Sequence, residues 1–403
     1  MKILFLTISR INGISDRGIY SDLMRKFCDE GHDVFITTPI ERRYKQRATL
    51  IKRNKIVILK IRTLNIQKSN ALEKWLAVLI INYQFLRGIK RFFSEIKFDL
   101  VMYSTPPITF TMLVNYIKQK DGAISYLLLK DIFPQNAVDL GLIKKGGLLH
   151  KYFLKKEKKL YEISDYIGCM SQASVAYILK HNPEIKPDKV EVNPNSHGPL
   201  ETNITQEQKS LIRQHYNIPS DAIVFIYGGN LGKPQGVDFI IEFLNSRKEE
   251  TGIFFLVVGS GTEYFKIDSW FRLKQPQNAL LLSELPKHEY DLLLQSCDIG
   301  MIFLDSRFTI PNFPSRLLSY LECKMPVIAA TDKNTDIGKI MEEYNFGIWS
   351  EAGNLQALNQ NISKLSNNPE LRKKMGQNGY EHLLRNYTVD TSYCIINKHF
   401  NNV

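Results

Sequence analysis

Cysteine is scarce and dispersed in this chain of 403 residues: Cys28, Cys169, Cys297, Cys323 and Cys394 form no C-x-x-C pair and no cluster with histidine. Neither a structural zinc site nor a disulfide framework is therefore expected, and an odd, scattered set suits a reducing compartment. The eight histidines contain no H-E-x-x-H and no i, i+4 pair, so a hydrolytic zinc centre is not expected. No D-x-D occurs, which argues against a divalent-metal clamp on a diphosphate. Long apolar runs are also missing. The strongest, Trp75 to Ile81, is broken by Asn82 and falls far short of the roughly 20 residues that span a bilayer. The opening MKILFLTIS is too short for a secretory core and reads as a first β-strand. With no internal repeat of about 20 to 50 residues, solenoids and propellers are not expected.

The apolar fraction of 44% and charged fraction of 23% are those of a folded globular protein. The length exceeds what one core supports, so two domains of roughly 150 to 200 residues are expected. The net charge of +12 is unevenly held. Residues 1–193 carry 33 basic and 18 acidic side chains, whereas 194–403 carry 20 and 23.

Short β-branched runs alternate with helical stretches from KILFLTI through HDVFITT, IVILKI, DLVMYS, ISYLLLK, YIGCMS and KVEVNPN. Strands separated by helices predict βαβ units and a parallel sheet. The polar stretch PNSHGPLETNITQEQ then interrupts, and a second series follows with AIVFIYGGN, FFLVVGSG, ALLLSEL, CDIGMIFL and MPVIAAT. The expectation is α/β: two Rossmann-like doubly wound domains, 1–195 and 196–385, with a C-terminal segment, 386–403, packing back on the first. Ligands in such sheets bind beyond the carboxyl ends of the strands, and the chemistry is expected in a cleft shared by the two domains.

Glycine-bearing turns mark three anion-ready places. After the first strand, SRINGISDRGIYSDLM holds Gly13 and Gly18 ahead of a helix, whose free N–H groups suit an anion. The spacing is not G-x-G-x-x-G, and no acid closes the second strand, which speaks against a dinucleotide cofactor; a merely tight turn is the plain alternative. YGGNLGKPQGVDF offers Gly228, Gly229, Gly232 and Lys233, a cradle for a diphosphate that needs no metal. FLDSRFTIPNFPSRLLSY places Pro311 and Pro314 before a helix beginning near Ser315, with Arg316 beside it.

Residues 42–62 contain nine Lys or Arg and no acid. The helical stretch after them carries Trp75 and other aromatics and ends in Arg87, Lys90 and Arg91, and HKYFLKKEKKLYE repeats the theme. Cations beside an aromatic-bearing amphipathic helix favour an anionic membrane surface, at about 1 kcal/mol per Lys or Arg near it, over the rival partner, nucleic acid. Arg42, Arg43, Lys52, Arg53, Trp75, Arg87, Lys90 and Arg91 are the candidates, with a solvated basic face as the alternative.

In this order and spacing, MKILFLT…GHDVFITT, STPPIT, LLLKDIFPQNAVDLGLIKKG, YGGNLGKPQGVD, VVGSG and PSRLLSYLECKMPVIAA resemble the retaining glycosyltransferases of family 4. These have the two-domain GT-B architecture, and the similarity points to the bacterial capsule and O-antigen branch related to N-acetylfucosamine transferases. The resemblance implies that the loop around Gly13 faces the donor diphosphate. It puts Gly229, Asn230 and Gln235 where relatives hold that diphosphate, Asn230 and Gln235 standing at the usual Arg and Lys positions, so that Lys233 becomes the substitute cation, aided by Ser315 and Arg316. The family's E-x7-E glutamates are replaced by Pro311 and Ser319. Pro311 and Asn312 then lie by the donor sugar, Ser319 reaches a ribose hydroxyl, and Glu322 follows one helical turn on. Where many relatives carry a histidine this chain has Lys130, followed by Asp131. Lys130 would stabilise charge at the reacting centre and Asp131 would take the acceptor proton, with Asp16 a second candidate base.

The resulting expectation is a glycosyltransferase that moves a sugar from a nucleotide diphosphate sugar, UDP-linked, to a polyprenyl-diphosphate-linked saccharide. No metal or other cofactor and no nucleic-acid partner are expected. The place expected for it is the cytoplasmic side of a bacterial plasma membrane, peripherally bound. Retention of configuration comes from the resemblance alone. A sugar-nucleotide 2-epimerase and a non-catalytic scaffold subunit stay as alternatives, the second favoured by the missing glutamates.

Overall fold

Apolar, β-branched runs too short for stable helices pair into two sheets, and the amphipathic stretches between them cover the sheets as helices. The computed structural model describes residues 1–11, 13–65, 71–199 and 204–400, without the side chains of 71, 72, 74, 75 and 78. The chain divides into two units: Met1–Gly198 with Val389–Val403, and Pro199–Thr388.

The first unit is built on eight strands: β1 (Lys2–Leu6), β2 (Asp33–Glu41), β3 (Thr49–Arg53), β4 (Ile56–Thr63), β5 (Leu100–Ser104), β6 (Ile124–Leu129), β7 (Tyr166–Cys169) and β8 (Val190–Val192). Their order is β3-β4-β2-β1-β5-β6-β7-β8, parallel except for β3, which runs against β4. The basic stretch 42–62 is therefore not one feature but a turn, Arg42–Tyr44, and a hairpin. As an edge strand, β3 presents unpaired backbone groups, and its exposed Lys52 and Arg53 guard that edge against pairing with another chain. On one face the helix Ile19–Asp29 buries Leu23, Met24 and Phe27 against Ile3, Phe5, Val34 and Ile36, and the helix Val389–Asn397 completes this core with Val389 and Ile396.

The second unit has β9 (Ile223–Gly228), β10 (Ile253–Val258), β11 (Ala279–Leu282), β12 (Ile299–Phe303), β13 (Val327–Thr331) and β14 (Gly347–Glu351). All are parallel, in the order β11-β10-β9-β12-β13-β14. Phe225, Phe255 and Phe303 meet Ile240, Phe243 and Ile362 in its core. In each sheet the strand order reverses once, between β1 and β5 and between β9 and β12. The loops leaving the carboxyl ends of those strands are where a doubly wound sheet opens to a ligand.

Candidate functional site

In the second unit the chain leaves β9 through Gly228–Gly236 and leaves β12 through Leu304–Ser315. The first loop is pinned to the turn after β10 by backbone bonds: Gly229 N–H donates to the Val258 carbonyl at 2.9 Å and Leu231 N–H to the Ser260 carbonyl at 2.8 Å. The two turns touch so closely that a Cβ on Gly259 would lie 1.8 Å from the carbonyl oxygen of Gly229. Under Gly228 the room is taken by tyrosine, since a Cβ there would lie 1.9 Å from the Tyr290 hydroxyl. Gly228 N–H also donates to the Tyr320 hydroxyl at 3.2 Å, which in turn donates to the Met301 carbonyl at 3.1 Å.

The helix Arg316–Glu322 starts beside this glycine loop. Its first residue lays a guanidinium over the ring of Tyr227, 4.3 Å from the centroid, in a cation–π contact. A Cβ on Gly229 would come within 3.2 Å of Arg316 Nη2, so the bare glycine leaves the guanidinium against the loop. Arg316 Nη1 is buried and, among the described residues, has no hydrogen-bond partner. An unspent donor on a cation beside exposed backbone is what an anion would complete.

Neighbouring candidates are placed differently. Asn230 Nδ2 donates to Gln235 Oε1 at 2.7 Å, and the same oxygen accepts from Gly232 N–H at 3.2 Å. These two residues thus brace the loop instead of standing as a free pair of ligands. Lys233 is exposed in the single turn Lys233–Gln235. Ser315 precedes the helix, but its hydroxyl caps nothing. Pro311 is buried, and the Asn312 carbonyl accepts from the Thr335 hydroxyl. Ser319 is half-buried and Glu322 fully buried, so of the two ribose candidates Ser319 is the accessible one. Asp305, at the mouth of the second loop, is clamped by Arg307 Nε and Nη2 at 2.8 and 2.7 Å. Burial pushes its carboxyl up, but the Arg307 bonds outweigh that and hold it below the usual carboxylate range.

The first unit presents its own group at the ends of β5 and β6. The Thr105 hydroxyl accepts from Lys130 N–H at 3.0 Å and Asp131 N–H at 3.2 Å, tying the two strand ends together. Lys130 Nζ donates to the Asn193 carbonyl at 3.2 Å, and burial lowers its ammonium to about 7. Asp131 goes the other way: burial raises its carboxyl to about 6, opposed by the Asn136 amide, which donates to Oδ1 and Oδ2 at 2.7 and 2.8 Å, and by the Ile132 backbone. One element further, Glu157 is buried, accepts from the Tyr161 hydroxyl at 2.8 Å and is raised to about 8, by burial first and by the nearby Asp131 in smaller part. Asp16 is exposed and serves its own loop, accepting from Gly13 N–H at 3.3 Å.

Of the basic candidates, Arg43 pairs with Glu41 at 2.7 Å and Arg42 with Glu73 at 3.7 Å. Lys90 lies over the ring of Tyr116 and Arg91 over Phe92, while Arg87 is exposed. The side chain of Trp75 lies outside the described residues. Among the described residues no group of three or more His, Cys, Asp or Glu is placed to hold a metal ion, and no helix is long and apolar enough to cross a membrane.

Residues 208–382 match the family Glycosyl transferases group 1. That segment is nearly all of the second unit and contains both loops and the helix that carries Arg316. The chain is 22% identical, over 265 residues, to "Probable glycosyltransferase WbjE" of Pseudomonas aeruginosa. The match covers 65% of this chain and 65% of that relative, so it spans less than two thirds of the relative's length. Among solved structures, HepE of Anabaena, in complex with UDP-glucose, aligns over 100% of both chains with a TM-score of 0.72 at 16% identity. Sucrose-phosphate synthase of Thermosynechococcus elongatus aligns over 100% of this chain and 99% of its own, with a TM-score of 0.76 at 13% identity. At such identities the likeness shows the fold, which is that of the GT-B glycosyltransferases.

The sequence points to Lys233 and Arg316 as the cations but not to Tyr227, Tyr290 and Tyr320, which pack about the loop. Tyr227 precedes the glycine pair directly, and that adjacency was the one available signal. Glu157 was hidden in a lysine-rich helix whose burial no local pattern reveals.

Proposed function

We propose that this protein transfers a sugar from a nucleotide diphosphate sugar, UDP-linked, to a polyprenyl-diphosphate-linked saccharide in bacterial surface polysaccharide synthesis, with retention of configuration and without a metal. The observation that carries the reading is Arg316, its guanidinium stacked on Tyr227 and lying against the glycine loop, with a buried Nη1 that has no partner among the described residues. Together with Lys233 and the loop's backbone donors it would hold the leaving diphosphate and stabilise the charge that grows as the glycosidic bond breaks. The complexes of HepE with UDP, glucose and UDP-glucose support a uridine diphosphate donor. Asp131 would receive the acceptor proton, its raised carboxyl being closer in basicity to that task than an ordinary aspartate. Ser319 would contact the ribose, and Pro311 and Asn312 would border the donor sugar. The lipid-linked acceptor brings the enzyme to the inner face of the plasma membrane.

Calorimetric titration with UDP and GDP, with and without EDTA, tests the donor site. UDP is expected to bind equally well in EDTA. Arg316→Lys and Lys233→Ala should each weaken it about tenfold, the order of one lost charge-assisted hydrogen bond. UDP binding that needs a metal, or that neither substitution alters, would remove the assignment.

A further inference from the structure

We infer that the first unit docks on an anionic lipid surface through the turn and first helical turns at residues 142–155, with Leu142, Leu148, Leu149 and Tyr152 entering the headgroup layer. The inference rests on the reading of a lipid-linked acceptor and gives that reading a surface. Leu148 is 88% exposed, Leu142 58%, Leu149 53% and Tyr152 41%. The same helix, Leu148–Ile163, buries Phe153 and Leu160 completely, so its core-facing side is already supplied. Four large apolar side chains within eleven residues are left exposed to water.

Charge surrounds them. From 140 to 156 the chain has five lysines and no acid. Lys144, Lys145, Lys151 and Lys155 are exposed, and among the described residues none of the four pairs with a carboxylate. Lys156 lies over the ring of Tyr152, 5.5 Å from its centroid. The acids that follow are spent elsewhere, Glu157 on Tyr161 and Glu162 on Lys159. Leucines ringed by unpaired lysines fit a bilayer surface, where alkyl groups sink and ammonium groups meet phosphate. A protein interface is depleted in lysine, and a nucleic-acid backbone gains nothing from exposed leucine.

Topology extends the patch. The helices Ala71–Phe92, Thr111–Asp121 and Leu148–Ile163 follow β4, β5 and β6 as crossovers in one direction, so they share a face of the sheet and all begin at its carboxyl edge. The middle one touches both neighbours. Leu76, Leu79 and Tyr83 on the first of these helices and Met112 on the second are exposed as well. Lys130 and Asp131 leave β6 at that same edge, so an acceptor whose lipid stays in the bilayer would offer its polar end where they stand.

Sedimentation of the full chain with vesicles tests this. Binding is expected to vesicles of phosphatidylcholine with an equal part of phosphatidylglycerol and not to phosphatidylcholine alone, falling as salt screens the lysines. Leu148→Glu with Leu149→Glu should lower partition about a hundredfold, roughly tenfold for each leucine kept out of the layer. Lys144→Glu with Lys145→Glu, a second variant that leaves the leucines in place, should lower it about twenty-five-fold or more, roughly fivefold per lysine. UDP titration of the same variants should match the unsubstituted protein, which reports an intact second unit. Failure of the unsubstituted protein to bind the mixed vesicles, or variants that bind as it does, would overturn the docking surface, even where UDP binds and the transferase reading stands. Capture of a nucleic-acid duplex that the leucine pair abolishes would overturn it in favour of that partner. Vesicle binding without UDP binding would keep the surface and remove the donor site instead.

Discussion

Lys130 and Asp131 are chain neighbours that burial drives towards one another, the lysine down to about 7 and the aspartate up to about 6. Each has its own partner, Asn193 for the amine and Asn136 for the carboxylate, so neither neutralises the other directly. If Asp131 accepts the acceptor proton it must be ionised, a state gained as pH rises through about 6. If Lys130 stabilises charge it must be protonated, a state lost as pH rises through about 7. We therefore expect kcat/KM to rise to a narrow maximum between these values and fall beyond them. Lys130→Arg, whose charge does not titrate in this range, should erase the alkaline limb and keep the acid one. A flat profile from about pH 5 to 9 would take both residues out of the chemistry.

At the level of elements, the donor loop depends on two turns in backbone contact. Gly259→Ala places a methyl group 1.8 Å from the Gly229 carbonyl oxygen, and neither turn has a flexible side chain to yield. The expected outcome is a loss of about 1–3 kcal/mol in denaturant unfolding, with UDP affinity reduced in parallel. Unchanged stability would mean that the loop is free to move away. These turns were legible in the sequence because each closes a buried, β-branched strand with glycine. The same logic exposed nearly every parallel strand, since a strand covered on both faces reads as a continuous apolar run. It failed for β3, TLIKR, where an edge hairpin is polar on one side and disappears into a run of cations. It also failed for β14, GIWSE, which starts on glycine and ends in two polar residues, so no continuous apolar run stands out. The candidate site was legible loop by loop but not in its pairings. That Arg316 stacks on Tyr227, while Asn230 and Gln235 bind each other, depends on which loops the strand order brings side by side.

In the whole molecule, the helix Val389–Asn397 belongs to the first unit although the entire second unit separates it from Gly198. Val389 and Ile396 fill the core beside Phe27, Tyr393 meets that ring edge-on at 4.9 Å, and the Ser392 hydroxyl donates to Asn193 Oδ1 at 2.5 Å. Asn193 also carries the carbonyl that holds Lys130. Truncation after Thr388 should destabilise the first unit by at least about 4 kcal/mol, the sum of two emptied core positions. Limited proteolysis would then cut within residues 1–198 while the second unit resists; equal resistance of both would count against this role. The same connectivity orders events on the ribosome. The first unit emerges first but lacks a wall of its core until residue 396 has been made, on the order of tens of seconds after Gly198 at about 5–20 residues per second. The second unit, Pro199–Thr388, is complete in sequence before that segment is made. It can be fully folded while the first still waits, open along the helix Ile19–Asp29, for the segment that closes it.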